Sequence, residues 1–149
     1  MSQSEKERLS FQVYKTNKMM RQLIDRYSME KGVEDIALVH GWILGYLADH
    51  ENEDVYQKTI EKRFSIAKSH VTGILKTLES QGYITRCSVK NDARLKKIRL
   101  TEKGRESDLA VRQSIDEMES VLSEALNDEE KSQLISLLQK LQFNVAERR

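Results

Sequence analysis

Apolar residues recur along this chain at spacings of three and four, interrupted by one short stretch where they tend to alternate. Leu9, Val13, Met20, Leu23, Ile24 and Tyr27 follow the first spacing, which predicts one long helix over residues 5–30. Lys31 and Gly32 supply its stop, a basic last turn followed by glycine. The pattern resumes over Glu34–Asp49, where Val39, Trp42, Ile43, Tyr46 and Leu47 share a face. Residues 50–54 are polar and read as a loop, and Gln57–Phe64 reads as a short helix anchored by Ile60 and Phe64. Val71, Ile74, Leu75 and Leu78 then recur at i, i+3, i+4 and i+7, the stripe of an amphipathic helix over residues 67–80 that Gly82 ends. Tyr83–Val89 and Leu95–Leu100 carry β-branched or aromatic residues in partial alternation, and residues 90–94 between them read as a turn, giving a hairpin. From Thr101 the helical spacing returns, through Leu109, Ile115, Met118, Val121, Leu122 and Leu126. Asn127-Asp128 break that helix and cap another, whose apolar face is Leu134, Leu137, Leu138 and Leu141.

Charge changes this picture. The net charge of +1 conceals a division. Residues 57–105 hold 13 Lys/Arg against 4 Asp/Glu, a net +9, and the rest of the chain carries −8. A compact basic segment inside an otherwise acidic chain fits contact with a polyanion; a solvated charged face is the plainer alternative. The order of elements favours the first. A short helix followed by a helix with a polar face is a helix-turn-helix, and a hairpin directly after it is a wing. Helix 67–80 presents Lys68, Ser69, His70, Thr72, Gly73, Lys76 and Thr77 opposite its apolar stripe. A helix entering a major groove about 12 Å wide needs small residues for close approach and hydrogen-bonding groups for base edges. Ser69, Thr72 and Gly73 suit close approach, and Thr72 can also offer its methyl to a thymine. Lys68, His70, Lys76 and Thr77 suit phosphates or bases. No carboxylate falls between Glu61 and Glu79 to repel a phosphate. Taken alone, this pattern also fits two ordinary packed helices.

The hairpin adds Lys90, Arg94, Lys96, Lys97 and Arg99. Strand-edge lysines serve elsewhere to block aggregation, a reading that fits Lys96 or Lys97. Asp92, two residues before Arg94, is placed to orient the guanidinium through a charge-assisted bond, and an aimed arginine suits a narrow minor groove.

The string DARLKKIRLTEKG at residues 92–104 resembles the wing signature of MarR-type regulators, D-x-R-x-K, a strand, then L-T-x-K-G. LESQGYITR at residues 78–86 resembles the same family's junction L-E-x-x-G-[LYF]-[IV]-x-R. Element order agrees over essentially the whole chain. The resemblance implies a mainly α fold with a small β-hairpin: a winged helix-turn-helix domain at 34–101, and a helical dimerisation region from residues 1–33 and 102–149. It places Lys68–Thr77 in the major groove and Arg94, with Asp92 and Lys96 in the wing, at the minor groove. Ala67 departs from the family pattern, where a Ser, Asp or Arg often begins the recognition helix, and Ser65 or water is expected to cap that end instead.

Residues 5–30 and 105–147 are too long and apolar for a winged-helix core to bury. Leu9, Val13, Leu134, Leu137, Leu138 and Leu141 are therefore expected at a homodimer interface, which would pair two recognition helices on an inverted repeat. Tyr14, Met20, His40, Trp42 and Tyr46 lie near where the resemblance puts a pocket for a small-molecule effector; core or interface roles suit them as well. His40, His50 and His70 fall on three different elements without metal-ligand spacing, so no metal or other cofactor is expected. Cys87, the single cysteine, is expected to be inert. No run of about 18 apolar residues and no secretory signal is present, which points to the cytoplasm. With no nucleophile–base constellation, catalysis is not expected. The expectation is a ligand-responsive repressor binding duplex DNA; the alternative is a winged-helix module that binds an acidic protein.

Overall fold

The computed structural model describes residues 1–33, 36–90 and 92–148. Glu34, where the second helix was expected to begin, Asp35, and Asn91 of the expected turn lie outside the described residues. The elements run α1 Gln3–Lys6, α2 Leu9–Met29, α3 Leu38–Asp49, α4 Gln57–Phe64, α5 Lys68–Ser80, β1 Ile84–Val89, β2 Asp92–Leu100, α6 Glu102–Glu124 and α7 Asp128–Ala146. The chain divides into two compact units, Met1–Ile115 and Asp116–Arg149.

The expected first helix is broken. Ser2 caps the single turn α1 by a capping box: the Glu5 amide donates to Ser2 Oγ, and Glu5 Oε2 accepts from the Ser2 amide at 2.7 Å. Arg8 then takes an extended conformation, so α2 starts afresh at Leu9. Apolar spacing could not reveal this break, because the residues before Leu9 carry no apolar stripe. The second helix likewise starts at Leu38, after an extended Ala37, with Val33 and Ile36 buried ahead of it.

The core of the first unit joins Ile43, Leu44 and Leu47 of α3 to Ile60 of α4 and to Val71, Ile74, Leu75 and Leu78 of α5. Ile84, Ile98 and Leu100 of the hairpin and Val111 of α6 complete it. Every member of the α5 stripe read from the sequence is at most 4% exposed, so the opposite face of that helix must look outward.

The antiparallel hairpin pairs Ile84 with Leu100 through Ser88 with Lys96. There the register slips, and Val89 lies opposite Asp92. Residues 92–94, expected in the turn, therefore belong to β2, while 93–95 form the excess of a bulge. On its outer side β2 takes one more rung, from the Ile98 amide to the Val55 carbonyl at 2.8 Å. The junction to α6 is tight. Thr101 Oγ1 donates to the Gly82 carbonyl and accepts from the Gly104 amide at 3.0 Å. A Cβ on Gly104 would fall 2.2 Å from the Tyr83 carbonyl oxygen, so the glycine of L-T-x-K-G is a steric requirement of this packing.

Arg112 ties α6 to α3. Its Nε donates to both oxygens of the buried Asp108 at 3.0 Å, and its Nη2 to Gly45 O at 2.7 Å and Asp49 Oδ1 at 2.8 Å. Burial lifts the Asp108 carboxyl above the usual range, against the pull of Arg112. The folded state thus holds this proton more tightly than the unfolded chain, and the carboxyl's contribution to stability falls as pH rises through that range. Removing the guanidinium raises the carboxyl further. Arg112→Ala is expected to cost about 2 kcal/mol at neutral pH, discounted from a fully buried pair because the guanidinium is 39% exposed. Thermal unfolding against pH should show that cost shrinking once Asp108 is protonated.

In the second unit, Asn127 caps α7 through a capping box with Glu130, 2.8 Å from the Glu130 amide to Asn127 Oδ1. The expected break at Asn127-Asp128 thus falls where it was read. No residue of α7 is buried.

Candidate nucleic-acid interface

The polar face of α5 is set by its neighbours at both ends. Phe64 and Ile66 pack against the core between α4 and α5, and Ser65 between them turns left-handed (φ 52°). Ser65 thus ends α4 instead of capping α5: its backbone is committed to the turn. Ala67 precedes α5 with no side-chain cap. The leading amides are thereby left for an outside acceptor, to which a helix N-terminus is electrostatically suited.

Lys68, Ser69, His70, Gly73, Lys76 and Thr77 are all exposed, and Thr72 is half-buried. The Thr77 hydroxyl donates to the Gly73 carbonyl at 3.1 Å. The Thr72 hydroxyl donates to the Lys68 carbonyl at 2.9 Å and accepts from Gln57 Nε2 at 2.9 Å. Gln57 was read only as the start of a helix. Its part here depends on a contact across 15 residues that no local pattern encodes.

In the wing, Asp92 does not hold the Arg94 guanidinium as expected. Its Oδ1 accepts from the Arg94 backbone amide at 2.9 Å. A short aspartate side chain reaches the amide two residues on more readily than a guanidinium at the end of a long stem. Asp92 therefore shapes the bulge, and the Arg94 side chain has no carboxylate partner among the described residues. Lys90 and Lys96 are likewise exposed and without such a partner among them. By contrast, Asp54 pairs with Lys97 at 3.1 Å and lies 3.9 Å from Arg99, and Glu79 grips Arg86 at 3.0 Å. Arg86 in turn holds the Glu79 carboxyl below its usual range by hydrogen bonding. The hairpin cations thus fall into two sets: Arg86, Lys97 and Arg99 answered within the protein, and Lys90, Arg94 and Lys96 open to a partner.

Helix and wing meet at one groove of about 340 Å³, lined among others by Tyr56, Gln57, Lys58, Lys68, Arg94 and Lys96. Of the residues read from the sequence, it gathers Lys68 of α5 with Arg94 and Lys96 of the wing, and Glu61 of α4 lines it too. Tyr14 lines a depression along α2 with Arg21 and Asp25, and Tyr46 lines another with Lys58 and Lys62. Neither is lined by Met20, His40 or Trp42. Tyr46 stacks on His50 at 4.0 Å. Burial, together with His70 and Arg21, holds His40 below its usual pKa. Leu9 and Val13 on α2, and Leu134, Leu137, Leu138 and Leu141 on α7, are all exposed in the single chain.

Cys87 is free and exposed on β1. Among the described residues, no His, Cys, Asp and Glu side chains cluster to hold a metal, and no helix is long and apolar enough to cross a membrane.

Comparison with known proteins identifies the family. The model of the MarR family matches residues 34–95, from the start of the second helical segment into the wing. The structure of the S. aureus MepR–DNA complex superposes with a TM-score of 0.78 at 29% identity, covering 93% of this chain and 98% of that one. The chain belongs to the MarR family of transcriptional regulators. The uncharacterized HTH-type transcriptional regulator YdgJ of Bacillus subtilis (strain 168) is 32% identical over 96 residues, which are 62% of this chain and 57% of that protein. The chain thus spans little more than half of that relative. A cysteine-to-serine mutant of E. coli MarR complexed with operator DNA shares the fold, at 22% identity and a TM-score of 0.71, covering 89% of this chain and 92% of that one. As read from the sequence, the fold is a mainly α winged helix, and the family's members regulate transcription rather than catalyse a reaction.

Proposed function

We propose that this chain is a cytoplasmic repressor that binds an inverted-repeat operator as a homodimer. Each α5 enters a major groove through Lys68, Ser69, His70, Thr72, Gly73, Lys76 and Thr77. Each wing places Arg94 at the adjacent minor groove, with Asp92 shaping its backbone and Lys96 on phosphate. One observation carries the reading: Lys68, from a helix face without carboxylates, lines one groove with Arg94 and Lys96, which form no ion pair among the described residues. That MepR, similar over nearly its whole length, has been solved with DNA supports it. The dimer contact is built from the apolar residues of α2 and α7 left exposed in the single chain. A small-molecule effector acts through α2 and α3, and Trp42, 47% exposed, is the fluorescence reporter for it.

Duplex binding measured against salt tests the core of the proposal. A protein that neutralises about six phosphates loses about a thousandfold in affinity between 50 and 200 mM salt. Arg94→Ala and Lys96→Ala should each weaken binding and flatten the slope by about one unit. Lys97→Ala, which removes a cation already held by Asp54, should change the slope little. Absence of any salt-sensitive complex would favour the protein-binding alternative.

A further inference from the structure

Thr72 has two groups with which to meet a base, a hydroxyl and a methyl, and the structure takes up the proton of the first. Its one hydroxyl hydrogen is committed to the Lys68 carbonyl at 2.9 Å. Its oxygen also receives Gln57 Nε2 at 2.9 Å, and the same amide reaches the Lys68 carbonyl at 3.3 Å. Threonine in a helix divides between two rotamers, one of them held by a bond to the preceding turn. Gln57, the first residue of α4, adds a second hydrogen bond to that rotamer and so locks it. A hydroxyl in this state has no proton for a base acceptor. One acceptor lone pair remains beside the Gln57 amide, and the methyl is uncommitted.

We infer that Gln57 is a positioning residue that turns Thr72 into an apolar reader, one that recognises the C5-methyl of a thymine. This rests on the reading of α5 as the helix that meets base edges. The contact is between two methyl groups, and apolar contact is the recognised way of distinguishing thymine in the major groove. Gly73 follows, with nothing within 4 Å of where its Cβ would be, so no side chain at that position keeps the base at a distance.

The test uses the full-length protein and a duplex selected by it from a random pool. Each thymine is replaced in turn by deoxyuridine, which lacks only the methyl. For the wild type, one position per half-site should lose about fourfold in affinity, the worth of one buried methyl. Thr72→Val keeps the methyl and should keep that thymine-to-uracil ratio. Thr72→Ser keeps the hydroxyl and should bring the ratio to one. Gln57→Ala should reduce it below about twofold. Because it is a ratio on matched duplexes, loss of a phosphate contact or of general stability at Gln57 would not move it. The inference is overturned if serine preserves the ratio and valine loses it, or if Gln57→Ala leaves it unchanged. A protein that selects a sequence containing no methyl-sensitive thymine overturns the inference alone. One that selects no sequence at all overturns the operator reading with it.

Discussion

Leu137→Asp combined with Leu141→Asp is expected to leave the chain folded and make it monomeric. In the single chain these leucines are 57% and 39% exposed, so aspartate there displaces little apolar packing. In the proposed two-fold dimer the same change replaces four interfacial leucines. Full burial of an exposed leucine contributes about 1.5–3 kcal/mol, and these are 57% and 39% exposed before association, so the four together remove about 3–6 kcal/mol of association free energy. Dimerisation should weaken by about 100- to 10,000-fold, before the cost of burying carboxylates is counted. The effect on DNA follows from geometry. Two half-sites read by one dimer gain about 100- to 10,000-fold from being linked, and a monomer forfeits that gain. Sedimentation equilibrium and duplex titration on the same sample measure both. A variant that stayed dimeric would place the contact elsewhere.

The second large effect concerns Gly73. Glycine in the interior of a helix is about 1 kcal/mol less favourable than alanine, and α5 has room for a side chain there. Gly104 is the opposite case, where a Cβ would strike a carbonyl oxygen. The fold therefore calls for glycine at 104 and not at 73. Gly73→Ala should raise the unfolding temperature by about 3 °C, the shift that about 1 kcal/mol gives in a domain of this size. Gly73→Leu should also remain folded, yet lose more than about a hundredfold in duplex affinity, because its side chain fills space that the groove edge must enter. Wild-type binding by Gly73→Leu would remove α5 from the interface.

Much of this was legible in the sequence because it is local. The α5 stripe, the glycine stop after it, the Asn127 cap and the hairpin are each written within a few residues, and periodicity or cap chemistry reads them directly. The signature strings at 78–86 and 92–104 added the family, which the helix pair alone could not distinguish from two packed helices. The misreadings share one cause. The break before α2, the capping of α5 by Ser65 and the aim of Asp92 at a guanidinium all depended on which of several nearby groups a flexible side chain or backbone would satisfy. Sequence spacing allows each of these partners, and only coordinates choose among them.

By itself, then, the sequence determined the longer elements, their order, the apolar stripe of α5 and the concentration of +9 in residues 57–105. Those follow from backbone periodicity and from counting charge. Tertiary structure alone decided which of those charges remain open to a partner. Asp54 answers Lys97 and Glu79 answers Arg86 from other elements, while Arg94 and Lys96 form no ion pair among the described residues. It also decided that the Thr72 hydroxyl is engaged within the protein, by a glutamine 15 residues away. The physical reason is the same in both cases. A charge or a hydroxyl is available only if nothing nearer has already satisfied it, and what is near is set by the fold.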